Sequence, residues 1–443
     1  ATAILTLILI FAAGPASARG GVVLALSGGG TRGLAHIGVL EVLEEEGIPI
    51  AGIVGTSMGS IIGGLAASGY SSAELREVIA GLDLTNLLSE KTNPIFVPLS
   101  QDSVSPRSKV PWVAISSSGD VVGPLGGMSG VKLLERFAQL ASRSQIVRFD
   151  ELAIPFAAVA TDLETGEKVV LRTGSLATAM RASMAIPALF DPWPVGGKLL
   201  VDGGLVSNLP VETAKDLFPG YPVIAVDVSG TLKKRKDIRS LVDVIDQSLT
   251  IFTRRNVENE IMKADLVISP SVAGVPIFDL THASRLIESG RQATMDRMAA
   301  IRNLAENAPP VAQRESLCIA ATVASIRVEG ATADLERRIK NRYRYWIGKP
   351  LSNINMVRAS REIGDQEDVL AVDYRFEEAG ENLDVIFVVQ RNPELEINFG
   401  GYTTNLHPHR WVYIHGVRRD LFTDGDSLRF NAKVGSQWGI DAS

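Results

Sequence analysis

Gly55-Thr56-Ser57-Met58-Gly59 is the stretch whose reading decides the fold. An apolar, strand-like run, Ile50-Ala51-Gly52-Ile53-Val54, leads into it, and a helix-like run, Ser60-Ile61-Ile62-Gly63-Gly64-Leu65-Ala66-Ala67, leads out. A serine between such a strand and helix, flanked by glycines, has the setting of a nucleophile elbow. The turn is so tight that its flanks must be nearly free of side chain, which Gly55 and Gly59 provide. The hydroxyl of Ser57 then stands near a helix N-terminus, where negative charge is favoured.

Upstream, Val22-Val23-Leu24-Ala25-Leu26 reads as a buried strand ending in Ser27-Gly28-Gly29-Gly30-Thr31-Arg32-Gly33. A helical pattern from Leu34 to Leu43 follows, closed by Gly47. Consecutive glycines between strand and helix offer N–H groups that no side chain blocks, suited to a phosphate or an oxyanion. The loop lacks Gly-Lys-Ser/Thr, which argues against a P-loop, and no acidic strand end follows at dinucleotide spacing. Beside a serine elbow on the next strand, the oxyanion reading fits best.

The 443 residues predict two or three domains, and a 46% hydrophobic content supplies large cores. A net charge of -6 gives no electrostatic reason to expect nucleic acid. Cys318 is the single cysteine, so the chain forms no internal disulfide and no thiolate metal cluster; with only 5 histidines, no metal site is expected. Residues 1–18 read as a clipped signal peptide: an apolar run through Phe11, then Ala16-Ser17-Ala18 with cleavage after Ala18. An exported protein is expected.

Strands and helices alternate from Val22 to about Ala305, the texture of a layered α/β domain over residues 21–305. Regularity lapses between Asn86 and Gly127, where Pro94, Pro98, Pro106, Pro111 and Pro124 interrupt the chain and Ile95, Phe96 and Trp112 are its apolar points. A flap over the active site and a plain insertion are both open there. Ser129 is read as the cap of the next helix, and Ser284 to Ala305 as one final helix. Residues 306–321 form a linker, and residues 322–391 read β-α-α-β-β, a small independent domain. Residues 394–443 alternate in the antiparallel manner, with Asp424-Gly425 as a turn and Trp411, Tyr413 and Trp438 as candidates for an aromatic girdle.

Taken together, Gly28-Gly29-Gly30-Thr31-Arg32-Gly33, Gly55-Thr56-Ser57-Met58-Gly59 and Asp202-Gly203-Gly204 resemble, in order and spacing, the motifs of patatin-like phospholipases. Ala182-Ser183-Met184-Ala185-Ile186-Pro187 is similar to the run that precedes the family's Asp motif. The middle unit resembles a POTRA domain, and the whole order resembles patatin-type autotransporters of Gram-negative outer membranes, with residues 394–443 as the first strands of a truncated barrel.

The resemblance implies a lipid acyl hydrolase of phospholipase A type, acting without cofactor through a Ser57–Asp202 dyad. Gly28, Gly29 and Gly30 would form the oxyanion hole, supported by Arg32, Gly33, Gly55, Gly59, Gly203 and Gly204. It implies phospholipid and a membrane surface as partners, no nucleic acid, outer-membrane assembly machinery, and an outer-membrane or cell-surface location. Two alternatives stand beside it. One is an α/β-hydrolase-type esterase with a Ser57–Asp202–His282 triad, whose order this chain permits. The other is a non-enzymatic outer-membrane translocation or assembly module. Arg32 is read first as a structural ion pair and second as a headgroup contact. His36 is read as a core or capping residue, Asp162 and Asp227 as turn or cap residues, and Lys233-Lys234-Arg235-Lys236 as a solvated loop or a contact to anionic lipid.

Overall fold

A computed structural model of the chain describes residues 20–82, 87, 113–116, 121–122, 125–128, 130–143, 148–311, 322–350, 353–364, 366, 369–380, 382–391, 395–403, 410–419, 426–435 and 439–442. The expected signal peptide, most of the Asn86–Gly127 segment with Ile95, Phe96 and Trp112, Ser129, Cys318, the Asp424-Gly425 turn and Trp438 lie outside the described residues.

The first unit opens with β1 (Val22–Leu26), α1 (Ala35–Glu45), β2 (Ile50–Thr56), α2 (Met58–Ala67) and α3 (Ser72–Ala80). The short strands β3 (Val113–Ser116), β4 (Val121–Val122) and β5 (Gly126–Met128) precede α4 (Val131–Leu140). Then come β6 (Phe156–Asp162), β7 (Lys168–Leu171), α5 (Leu176–Ser183), β8 (Ala188–Phe190), β9 (Trp193–Val195) and β10 (Lys198–Asp202). The unit continues through α6 (Gly204–Ser207), α7 (Val211–Leu217), β11 (Val223–Val226), α8 (Leu241–Ile261), β12 (Leu266–Ile268), α9 (Ala283–Met295) and α10 (Met298–Glu306).

Its sheet runs β12-β11-β1-β2-β6-β10-β9, with β7 also on β6. The strands β12 to β6 are mutually parallel, while β10, β9 and β7 join antiparallel. Every residue of β1 is buried. Its side chains alternate, so Val22, Leu24 and Leu26 enter the core under α1 and α2, while Val23 and Ala25 enter the core under α7 and α8 with Val211, Ala214 and Val257. Full burial of one such leucine contributes about 2 kcal/mol. The chain moves outward from β1 through β2 to β6, then returns to β11 on the other side of β1. The loop after β1 therefore opens at the point where the strand order reverses, where α/β sheets place their sites.

Three expectations are corrected here. The segment from Asn86 to Gly127 is not wholly irregular, because β3 pairs with β4 and with a distant strand near the C-terminus, and β5 pairs with β8. Partners remote in sequence satisfy those backbones, so the local pattern carries no sign of them. The N-cap of α4 is Gly130, in the left-handed region at φ 69, rather than Ser129. A Cβ at Gly130 would collide with the Arg181 guanidinium. The expected last helix is two, α9 and α10, parted at Asp296 and Arg297.

A second unit contains β13 (Val323–Glu329), α11 (Ala333–Tyr343), α12 (Asn353–Gly364), β14 (Val369–Ala379) and β15 (Asn382–Arg391). Its sheet order is β13-β15-β14, with β13 parallel and β14 antiparallel to β15. Leu335, Ile339, Tyr343, Met356 and Phe387 fill its core. Arg361 bonds Glu135 of α4 at 2.7 Å, and the Thr178 hydroxyl of α5 donates to the Tyr374 oxygen at 3.2 Å, joining it to the first unit. Beyond it, β16 (Leu395–Thr403), β17 (Arg410–Arg419), β18 (Ser427–Gly435) and β19 (Gly439–Ala442) form antiparallel neighbours, and β3 adds to the free edge of β16. Leu428 and Phe430 of β18 are exposed. Among the described residues no helix is long and apolar enough to cross a membrane.

Candidate active site

The turn between β2 and α2 holds Ser57 at φ 52, ψ -120; only Ser57 and Ala188 have a positive φ among the described non-glycine residues. Such a conformation costs of order 1–3 kcal/mol and persists only where its surroundings enforce it. The enforcement is steric: a Cβ on Gly55 would strike the Gly59 carbonyl, and one on Gly59 would strike the carbonyls of Leu26 and Ser27. The elbow is thereby pressed against the end of β1.

Asp202 closes β10, which lies next to β6, itself next to β2. The Ser57 hydroxyl donates directly to Asp202 Oδ2 at 2.7 Å. The Gly204 N–H donates to Oδ1 at 2.8 Å, and the Thr161 hydroxyl donates to the Asp202 carbonyl at 2.9 Å. Burial drives the Asp202 carboxyl up to about 6; the Gly204 N–H and the Ser57 hydroxyl oppose the shift without cancelling it. Gly203 is required for contact, since a Cβ there would meet the Val159 carbonyl.

The glycine loop does not contribute uniformly. The Gly28 N–H is taken by the Asn208 carbonyl at 3.0 Å, so its expected place in the oxyanion hole is corrected: it anchors the loop instead. The N–H groups of Gly29 and Gly30 have no hydrogen-bond partner among the described residues. Asn208 also reaches the Gly28 carbonyl at 3.4 Å and the Ser229 hydroxyl at 3.0 Å, tying the loop to the helix after the Asp motif. Gly33 lies against the Met58 side chain, and Gly204 against Asn208 and Asp202.

Arg32 is buried. Its Nη2 bonds Asp246 Oδ2 at 2.7 Å and its Nε donates to the Val275 carbonyl at 3.0 Å, both partners in the interior. The headgroup role considered for it is therefore not available. Lys233 reaches Asp243 at 2.7 Å and the same Asp246 at 2.9 Å, while Lys234, Arg235 and Lys236 are exposed. Asp162 is paired with Lys198 at 2.7 Å, and Asp227 accepts from the Ser229 N–H at 2.9 Å in a turn.

His36 is fully buried, with Nε2 2.9 Å from the Ser27 carbonyl. Burial lowers it to about 4, so it is neutral at pH 7 and donates that N–H. His282 sits at the start of α9, its Nδ1 3.2 Å from Asp279 and 3.0 Å from the Thr281 hydroxyl. Among the described residues no histidine intervenes between Ser57 and Asp202, which are directly bonded. Two contributors had no assigned role in the sequence reading: Asn208, and Ser183, whose hydroxyl accepts from the Ser57 N–H at 2.9 Å. Ser183 lies in the Ala182–Pro187 run already singled out; Asn208 carries no motif.

A mainly parallel sheet with a strained serine between strand and helix, a buried carboxylate on its hydroxyl and glycine N–H groups left unpaired among the described residues has the arrangement of an α/β hydrolase-type site. Residues 24–215 match the family model described as patatin-like phospholipase, so this part of the chain is similar to that family. An uncharacterized NTE family protein of Mycobacterium bovis is 35% identical over 211 residues, 47% of this chain and 49% of that protein. Patatin-like phospholipase domain-containing protein 6 of Mus musculus is 30% identical over 209 residues, 47% of this chain and 13% of that protein. The chain thus spans half or less of the length of these relatives. Among solved structures, VipD from Legionella pneumophila is similar at 15% identity and a TM-score of 0.38, over 64% of this chain and 67% of that one.

Proposed function

We propose that the chain is a lipid acyl hydrolase of phospholipase A type that works through a Ser57–Asp202 dyad. The observation that carries this is the direct 2.7 Å hydrogen bond from the serine hydroxyl to a desolvated carboxylate. The family description, patatin-like phospholipase, supports the lipid substrate. Asp202 takes the Ser57 proton as Oγ attacks the ester carbonyl. The oxyanion of the tetrahedral intermediate is held by the N–H groups of Gly29 and Gly30. Protonated Asp202 then passes the proton to the leaving alcohol, and the same carboxylate activates the water that releases the fatty acid. A carboxyl near 6 is a stronger base than an ordinary aspartate yet ionised at neutral pH.

The test is labelling of Ser57 by a fluorophosphonate, with release of fatty acid and lysolipid from a glycerophospholipid vesicle. Ser57→Ala is expected to lose both, and His282→Ala to keep most turnover. A loss of about 10³-fold or more in folded His282→Ala protein would instead promote the triad. We further propose that residues 322–391 act as a POTRA-like unit and residues 394–443 as the first strands of an outer-membrane barrel, which would present the hydrolase to a bacterial membrane surface. The β-α-α-β-β order and the antiparallel register of β16 to β19 support this reading. Loss of outer-membrane fractionation on deleting the chain from residue 394 onward is the expected result; unchanged fractionation would remove the barrel from the account.

A further inference from the structure

We propose that Ser183 is a positioning residue that holds the nucleophile in register with its base, an inference that rests on the dyad reading above. Ser183 is the last residue of α5 and fully buried. Its hydroxyl accepts from the Ser57 N–H at 2.9 Å and donates to the Val159 carbonyl at 2.6 Å. Val159 stands opposite Thr56 in the parallel pairing of β2 with β6. The hydroxyl is thus interposed where β2 leaves its neighbour, extending the hydrogen-bonded path by one atom while the backbone turns to φ 52.

The same residue reaches the base through its main chain. The Gly203 N–H donates to the Ser183 carbonyl at 3.3 Å, and the Asp202 N–H donates to the Ala185 carbonyl at 2.9 Å. One short segment, Ser183 to Ala185, therefore grips the backbone of both reacting residues. The Val159 carbonyl that receives the Ser183 hydroxyl is also the atom that leaves no room for a Cβ at Gly203. Without the hydroxyl, the Ser57 N–H is buried with no acceptor, a penalty that the turn can relieve by shifting. A shift of about 1 Å at reacting atoms costs about 10²-fold in rate.

The experiment compares Ser183→Ala, Ser183→Cys and Ser183→Thr on a soluble short-chain ester, with thermal unfolding as a check on folding. Ser183→Ala and the weakly accepting Ser183→Cys are expected to lose about 10²-fold in kcat with KM within about twofold. Ser183→Thr, which keeps the hydroxyl, is expected to recover most of that loss. In an Asp202→Asn background, read by the slow fluorophosphonate labelling of Ser57, Ser183→Ala is expected to add little. A folded Ser183→Ala or Ser183→Cys protein with kcat within about threefold of the parent overturns the proposal, and so does an equal loss in both backgrounds. Retained turnover in Asp202→Asn alone overturns the dyad itself, and the coupling with it. That result is read in a protein with Ser183 intact, so the two failures are distinguishable.

Discussion

The ends of β1, β2 and β10 and the three-stranded second unit treat polar groups in opposite ways. In the second unit the charges stay at the surface: Arg342 meets Glu362 at 2.8 Å with both side chains about half exposed or more, and the Thr332 hydroxyl caps α11 by accepting from the Leu335 N–H at 3.3 Å. At the site the polar groups are taken inside. Ser57 is held at a positive φ, the Asp202 carboxyl is pushed up to about 6, and neutral His36 keeps an Nδ1 with no partner among the described residues. The difference teaches that a strained backbone and a desolvated carboxylate coincide where a proton must move, while the second unit keeps its charged side chains out of its core.

The sharpest way to break that comparison is Asp202→Asn. The amide cannot take a proton, so turnover is expected to fall by about 10³-fold or more. Stability should move the other way. The folded carboxyl at about 6 lies above its ordinary 3.8, so its contribution to stability is fully present below 3.8 and lost as pH rises through 6. At neutral pH the asparagine variant is expected to gain on the order of 2 kcal/mol and a higher Tm. In the parent, kcat/KM should rise through about pH 6 as that stability declines. A pH–rate profile flat from 5 to 8, or a lower Tm for the variant, would remove the desolvated base from the account.

The second test sets one ion pair against another. Arg32→Ala leaves Asp246 buried with Lys233 alone and is expected to destabilise by about 3 kcal/mol, with loss of activity as the glycine loop loosens. Arg342→Ala, on an exposed pair, is expected to cost less than about 1 kcal/mol. Chemical denaturation of both variants measures this, and similar costs would erase the contrast.

Two glycine substitutions sharpen it further. Gly59→Ala drives a methyl into the Leu26 and Ser27 carbonyls, and a loss of about 2 kcal/mol is expected from the denaturation midpoint. Gly364→Ala, at the end of α12, meets nothing within 4 Å. Better helix propensity there should stabilise by about 0.5 kcal/mol, the smallest effect of the series.

Much of the site was legible because its chemistry is local. A glycine-flanked serine between an apolar strand and a helix, a glycine run after the preceding strand, and Asp202-Gly203-Gly204 each announce a tight backbone by residue type alone. The unbroken apolar run from Val22 to Leu26 likewise reads as a buried strand. What stayed hidden depends on atoms distant in sequence. Nothing within Gly28-Gly29-Gly30 tells which N–H groups remain free; the Asn208 carbonyl, 180 positions on from Gly28, decides it. Arg32 reads as an ion-pair residue with no partner named until Asp246 of α8 is brought to it. The strands β3 and β5 exist through partners contributed by β16 and β8.

The sequence by itself determined most of the order of the elements and the elbow at Ser57, because steric freedom and hydrophobic period are properties of neighbouring residues, and the family resemblance supplied Asp202 as the carboxylate candidate. Only the tertiary structure decided that the serine meets Asp202 directly, that Gly28 is an anchor, and that Ser183 grips the elbow. Hydrogen-bond partnership and desolvation belong to the space between segments, and that space is made when β2, β6 and β10 are laid side by side.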